Sequence, residues 1–169
     1  MPMLLNMGAE RNDIVFRPIG VVRSPHTDPS RTPIQPRYAK DIEGRIEIYP
    51  EYEEGLTDVE GFSHIIVLFH LHRARSARLM VIPFMDTTLR GVFATRAPSR
   101  PNPIGMSVVR LLRREGRVLH IADVDMLDGT PVIDIKPHIA RFGADDPVSS
   151  GWQERITEEE ADRLGRRAA

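Results

Sequence analysis

Between Phe93 and Ser107 the chain reads FATRAPSRPNPIGMS, which sets Arg96, Arg100 and Asn102 among Pro98, Pro101 and Pro103. A guanidinium is a permanently charged planar fork suited to carboxylates and phosphates. Each proline fixes its own φ and pushes the preceding residue toward extended backbone. Ala97, Arg100 and Asn102 are therefore restricted as well. Much of that freedom is already lost in the unfolded chain, so ordering this loop costs less than ordering an ordinary one. The spacing predicts a stiff loop that holds its polar groups ready for a ligand, with Gly105 letting the backbone approach closely. A plain connector ending a strand would fit the same residues.

A second group of chemically useful side chains lies in DVDMLDGTPVIDIKP, Asp123 to Pro137. Asp123 and Asp125 are two apart, which on a strand puts both on one face. Asp128 and Gly129 predict a tight turn. Carboxylates here suit a ligand carrying positive charge or ribose hydroxyls, although Asp-Gly also serves simply as a hairpin turn. His70 and His72 share a similar spacing, with His64 upstream. A zinc site needs three or four convergent ligands, and no spacing supplies them, so no metal is expected. The best basic cluster is Arg73, Arg75 and Arg78 in HRARSAR.

The elements that must position these groups read as short strands. IVFRPIGVV, RIEIY, HIIVLFHLH, LMVIPF, GVFAT, MSVVRLL, VLHIADVDML and PVIDIK are rich in Val and Ile and are bounded by Gly, Pro, Asp or Arg. REGR, Arg114 to Arg117, predicts a hairpin turn. No segment between Val59 and Ile135 has the length and 3.6-residue period of a crossover helix, and no GxGxxG follows a strand. A doubly wound parallel sheet is thereby excluded. The predicted fold is mainly β, a small antiparallel barrel with short peripheral helices. One helix starts at Pro50 in PEYEEGL. Another lies in TEEEADRLGRR, where Thr157 and Glu160 have capping-box spacing. The proline-rich stretch Ser24 to Pro36 reads as an ordered loop or a lid.

The 169 residues suffice for a single core, and the formal net charge of -1 gives the whole molecule no attraction for nucleic acid. RNA binding would require a local basic patch. There is no cysteine, so disulfides and thiolate metal sites are excluded. No membrane span or signal-like apolar run is evident, and the expected location is cytoplasmic.

RPIGVVRSP, EGFSHIIVLFHLHRA, GVFATRAPSRPNPIGMS and DMLDGTPVIDIKPH occur in this order and at compatible distances. Together they resemble the TsaA-like (TrmO) family of S-adenosylmethionine-dependent tRNA methyltransferases, in a short single-domain form. The resemblance covers roughly Phe16 to Asp146 and implies a non-Rossmann β-barrel methyltransferase. It divides the chain into a flexible N-terminus (1–13), a barrel domain (14–146) and a C-terminal extension with a short helix (147–169). It also implies a homodimer with the cofactor near the subunit interface. The reaction implied is methylation of the exocyclic nitrogen of threonylcarbamoyl-adenosine, beside the anticodon of threonine tRNA.

Carried over by motif, the cofactor contacts are Pro33, Ile34 and Gln35, then His72 and Arg73, then Arg96 and Met106, and finally Asp125, Met126, Leu127 and Asp128. Chemically, Arg96 or Arg100 would clamp the cofactor's carboxylate, and Asp125 or Asp128 would accept from its ribose or ammonium group. Ile104 and Met106 would pack on its adenine. His72, Asp125 and Asp128 are the candidate proton acceptors. Two features depart from the family pattern. Ile34 stands where many members have arginine, and the second C-terminal domain of longer members has no counterpart here. Two alternatives stay open: methylation of a small molecule, and a non-catalytic module that binds S-adenosylmethionine.

Overall fold

The computed structural model describes residues 13–143 and 147–167. The expected flexible N-terminus, except for Asp13, lies outside the described residues. Six strands close into an antiparallel barrel in the order β1-β2-β7-β6-β3-β8. They are β1 (Gly20–Arg23), β2 (Glu43–Ile48), β3 (His64–His70), β6 (Ile104–Glu115), β7 (Val118–Ala122) and β8 (Pro131–Pro137). A separate two-stranded ribbon, β4 (Met80–Val81) with β5 (Arg90–Gly91), stands on the connection between β3 and β6. One α-helix, α1 (Glu158–Gly165), follows among the described residues.

The barrel forms because apolar residues recur every second position. On β3, Ile65, Val67 and Phe69 turn inward, while His64, Ile66, Leu68 and His70 turn outward. Val22, Ile46, Ile65, Val67, Val109, Leu119, Ile121 and Val132 complete a core with no exposed surface. Each such side chain contributes roughly 1.5–3 kcal/mol by leaving water. The β6–β7 hairpin turns at Gly116 with φ of 57°, and the β8 approach turns at Gly129 with φ of 76°. The turn at Arg114–Arg117 is the expected hairpin, whereas the turn at Asp128–Thr130 is not a hairpin, because β7 and β8 are not neighbours in the barrel; left-handed backbone explains glycine at each.

Several predicted strands are shorter or differently placed. GVFAT forms a 3-10 turn at Val92–Ala94 after the two-residue β5. IVFRPIGVV is a strand only from Gly20. VLHIADVDML stops at Ala122, because Asp123 adopts a left-handed φ of 67°. Arg110 holds that break. Its Nε donates to Asp123 Oδ2 at 2.7 Å, its Nη2 to Asp123 Oδ1 at 3.1 Å, and the Asp41 amide also donates to Asp123 Oδ1 at 2.8 Å. Asp123 and Asp125 therefore do not share a strand face, which corrects the expectation from their spacing. Gly105 is also reassigned. A Cβ there would stand 2.2 Å from the Phe69 ring, so glycine admits a core aromatic and not a ligand.

The register puts one end of every barrel strand together. Arg23 faces Arg45, Glu43 faces Ala122, His70 faces Ile104 and Phe69 faces Val132. The connections 24–42, 71–103 and 123–130 thus all leave from the same rim, and the candidate residues sit on them or at the start of β6.

Candidate active site

The connection 24–42 is zipped onto the connection 123–130. The Ser24 hydroxyl donates to the Met126 carbonyl at 2.6 Å, and the Ser24 amide donates to Asp128 Oδ1 at 3.1 Å. The Asp128 amide donates to the His26 carbonyl at 2.7 Å, and His26 Nε2 lies 2.7 Å from the Val124 carbonyl. The third connection joins through its first residues. Arg73 Nη1 donates to the Thr27 carbonyl at 3.0 Å, and His72 Nδ1 lies 3.5 Å from Thr130 Oγ1. Its proline-rich part joins through Arg96, whose Nη1 donates to Gln35 Oε1 at 2.7 Å. Pro33 to Gln35, His72–Arg73, Arg96 and Asp125 to Asp128 therefore belong to one assembly of loops.

Asp125 is its electrostatic centre. Ser107 points into the barrel on β6 and donates its hydroxyl to Asp125 Oδ1 at 2.7 Å. The carboxyl group is enclosed although the residue as a whole keeps some exposure. Burial pushes its pKa up to about 7, against the opposing effects of the Ser107 hydroxyl, its own backbone and the Arg96 charge. Burial likewise lowers the pKa of His72, which favours the neutral imidazole. A carboxyl that gains and loses its proton near neutrality, beside a fixed guanidinium, can accept a proton or bind a cation.

Other candidate side chains divide clearly. Met106 is 47% and Ile104 40% exposed on the outer face of β6, an apolar surface available for a flat ring. Met126 is 1% exposed and its side chain belongs to the core, so only its backbone faces the cleft loops. Arg100 turns back on its own loop, donating to the Thr95 carbonyl at 3.1 Å and the Ala97 carbonyl at 3.4 Å. It braces the proline segment, and Arg96 is the guanidinium left to face a ligand. Asp128 is exposed and Leu127 half-buried beside it. The residue reading missed Ser107, Ser24 and Thr130. Only Ser107 carried a signal, as a polar residue in phase with the inward positions Gly105 and Val109. Among the described residues no three His, Asp or Glu side chains are grouped to hold a metal ion.

The tRNA-methyltransferase O N-terminal domain model matches residues 21–144. A probable S-adenosyl-L-methionine-binding protein of Pyrococcus abyssi (strain GE5 / Orsay) is 55% identical over 142 residues, 84% of this chain and 77% of its own. A tRNA (adenine(37)-N6)-methyltransferase of Escherichia coli (strain K12) is 37% identical over 134 residues, 73% of this chain and 57% of that protein. A crystal structure of TrmO from Pseudomonas aeruginosa superposes with a TM-score of 0.70 at 38% identity, covering 83% of this chain and 62% of that one. The chain thus spans little more than half of the Escherichia coli enzyme.

Proposed function

This chain belongs to the tRNA-methyltransferase O N-terminal domain family, and from that membership and the geometry of its cleft we propose that it is an S-adenosylmethionine-dependent methyltransferase acting on an adenine N6 of tRNA. The single observation that carries the reading is the convergence of three rim connections on Asp125, Arg96 and Gln35. The donor set suits the cofactor. The Arg96 guanidinium matches a carboxylate, Asp125 and Asp128 match ammonium or hydroxyl groups, and exposed Ile104 and Met106 match a purine ring. His72, Arg73, Leu127 and the backbone of Pro33, Ile34 and Met126 complete the wall.

When bound, S-adenosylmethionine supplies an activated methyl group. The chain's own residues do the rest. They align the acceptor, exclude water and take a proton. The exocyclic nitrogen of adenine has a delocalised lone pair, so its proton must leave for attack to be efficient. Asp125 has the burial and the near-neutral pKa of a general base. Burial lowers the pKa of half-buried His72 and so favours its neutral form, but it takes second place, since its Nδ1 faces the Thr130 hydroxyl. Asp128 is exposed and occupied by the Ser24 amide, which suits binding better than proton transfer.

The partners follow from what remains exposed. Leu79, Met80, Ile82, Phe84, Leu89 and Phe93 are each 50% exposed or more, all on the connection that carries Arg96. An apolar surface of this kind favours a second copy of the chain, with the cofactor cleft near the interface. Arg75 and Arg78 are exposed and form no ion pair among the described residues, which supports phosphate contacts with RNA. We place the substrate beside the anticodon as threonylcarbamoyl-adenosine, and the enzyme in the cytoplasm. No helix among the described residues is long and apolar enough to cross a membrane.

A second reading, methyl transfer to a small molecule, is favoured by the formal net charge of -1, which gives the molecule as a whole no attraction for RNA. Nucleoside mass spectrometry of tRNA incubated with the purified protein and S-adenosylmethionine decides between them. Methylated threonylcarbamoyl-adenosine is the expected product. Cofactor binding without any methylated nucleoside would overturn the tRNA assignment.

A further inference from the structure

The Gln35–Arg96 hydrogen bond joins two long connections across exposed surface. Water competes for both partners of such an exposed bond, so it adds too little net stability to hold both loops in register. The C-terminal segment stands behind each partner. On the Gln35 side, the Ile34 amide donates to the Gly165 carbonyl at 3.1 Å. Gly165, the last residue of α1, lies so close to Tyr38 that a Cβ there would stand 2.4 Å from the ring. Arg37 pairs with Glu158 and reaches Asp162 at 4.0 Å.

On the Arg96 side, Trp152 Nε1 donates to the Ala94 carbonyl at 2.8 Å, and the Arg90 guanidinium lies 5.3 Å over the Trp152 ring. Beyond α1, Arg167 donates to the Pro29 carbonyl and lies 4.4 Å over the Phe84 ring, joining the two connections again. These interactions come from residues past 144, where the family match ends.

We propose that residues 151–167 form a clamp that sets Gln35 and Arg96 in register, so that affinity for S-adenosylmethionine depends on a segment outside the matched family domain. The inference rests on the cofactor reading given above. Its residues are positioning residues. They shape the cleft by holding Ile34 and Ala94 and do not touch the ligand themselves. Loops fixed before binding need not be ordered by the ligand, and the affinity rises accordingly.

The test compares the full chain with Gly165→Val, Trp152→Ala and the double variant Gly165→Val/Tyr38→Ala, using calorimetry with S-adenosylmethionine and backbone hydrogen exchange. Gly165→Val is expected to weaken binding by about tenfold or more and to speed exchange over residues 33–38. Removing the Tyr38 ring makes room for the added side chain, so the double variant should recover affinity. Trp152→Ala should speed exchange over residues 94–96 and weaken binding without a valine being introduced. Unchanged affinity in both single variants would overturn the clamp. So would faster exchange spread evenly over the barrel strands, which would mark general destabilisation. If the wild-type chain itself binds no S-adenosylmethionine, the function reading fails on that result alone. Exchange then decides the positioning role alone: local acceleration over residues 33–38 and 94–96 upholds it, and unchanged loops overturn it.

Discussion

The Ser107 hydroxyl donates to Asp125 Oδ1 at 2.7 Å, across the mouth of a barrel whose other inward side chains are nearly all apolar. Ser107 itself is 3% exposed. The bond stabilises the charged carboxylate, and burial opposes it more strongly, which leaves the pKa about 7. Asp125 is thus ionised and protonated to similar extents at neutral pH.

Methyl transfer should therefore rise with pH through about 7, as Asp125 loses its proton. Asp125→Asn should remove that limb and lower turnover by about a hundredfold or more. Ser107→Ala removes a hydrogen bond that lowers the Asp125 pKa, so it should move the limb to higher pH with a smaller loss at the plateau. Single-turnover rates at saturating cofactor, measured across pH for the three proteins, check this. A wild-type limb preserved in Asp125→Asn would remove Asp125 as the base.

Stability should follow the same group with opposite sign. The folded-state pKa, about 7, lies above the ordinary value of 3.8, so the folded chain binds the proton more tightly than the unfolded chain. The stability associated with this group is complete below pH 3.8. It declines as pH rises toward 7 and stays at its reduced level above. Asp125→Asn cannot ionise, and its denaturation midpoint relative to wild type should improve over that interval. Urea unfolding at closely spaced pH values measures the difference.

Gly105→Ala should destabilise the barrel by roughly 1–3 kcal/mol, the usual cost of overpacking a core. The added methyl would overlap the Phe69 ring at 2.2 Å, and Phe69 is itself buried between β6 and β8. The pair Gly105→Ala/Phe69→Leu should recover part of the loss. Thermal unfolding of the single and double variants reads the coupling. A neutral Gly105→Ala would mean that the ring has room to move.

Arg75→Glu and Arg78→Glu should weaken tRNA binding and flatten its dependence on salt, leaving affinity for S-adenosylmethionine unchanged. Removing one arginine from a phosphate lowers the slope of log K against log salt by about 0.7–0.9. Filter binding at several salt concentrations measures that slope. An unaltered slope would move the RNA surface elsewhere on the molecule.

The barrel is legible because its signal is local. Alternation in HIIVLFH and MSVVRLL marks one wet and one dry face on each strand, and Gly116 and Gly129 sit where the backbone turns left-handed. GVFAT misleads because an apolar run of that length suits a 3-10 turn as well as a strand. The spacing of Asp123 and Asp125 misleads for a non-local reason. Asp123 is held left-handed with Arg110, a residue on another strand, and spacing within one segment carries no trace of it.

In the cleft, Arg96 and Arg100 look equivalent as residues in a proline-rich segment. The resemblance carries over Arg96 alone, and the folded chain gives a physical reason: one meets Gln35 and the other meets its own carbonyls. Ser24 is invisible because its partners lie about a hundred residues away.

Closure of the barrel has a consequence for synthesis on the ribosome. β1 can meet β2 early, but both β1 and β3 also pair with β8, so the ring stays open until Pro131–Pro137 has been translated. A nascent chain therefore carries Val22, Ile46, Ile65 and Val67 incompletely sheltered through most of elongation and condenses late, in a slow step governed by distant pairings.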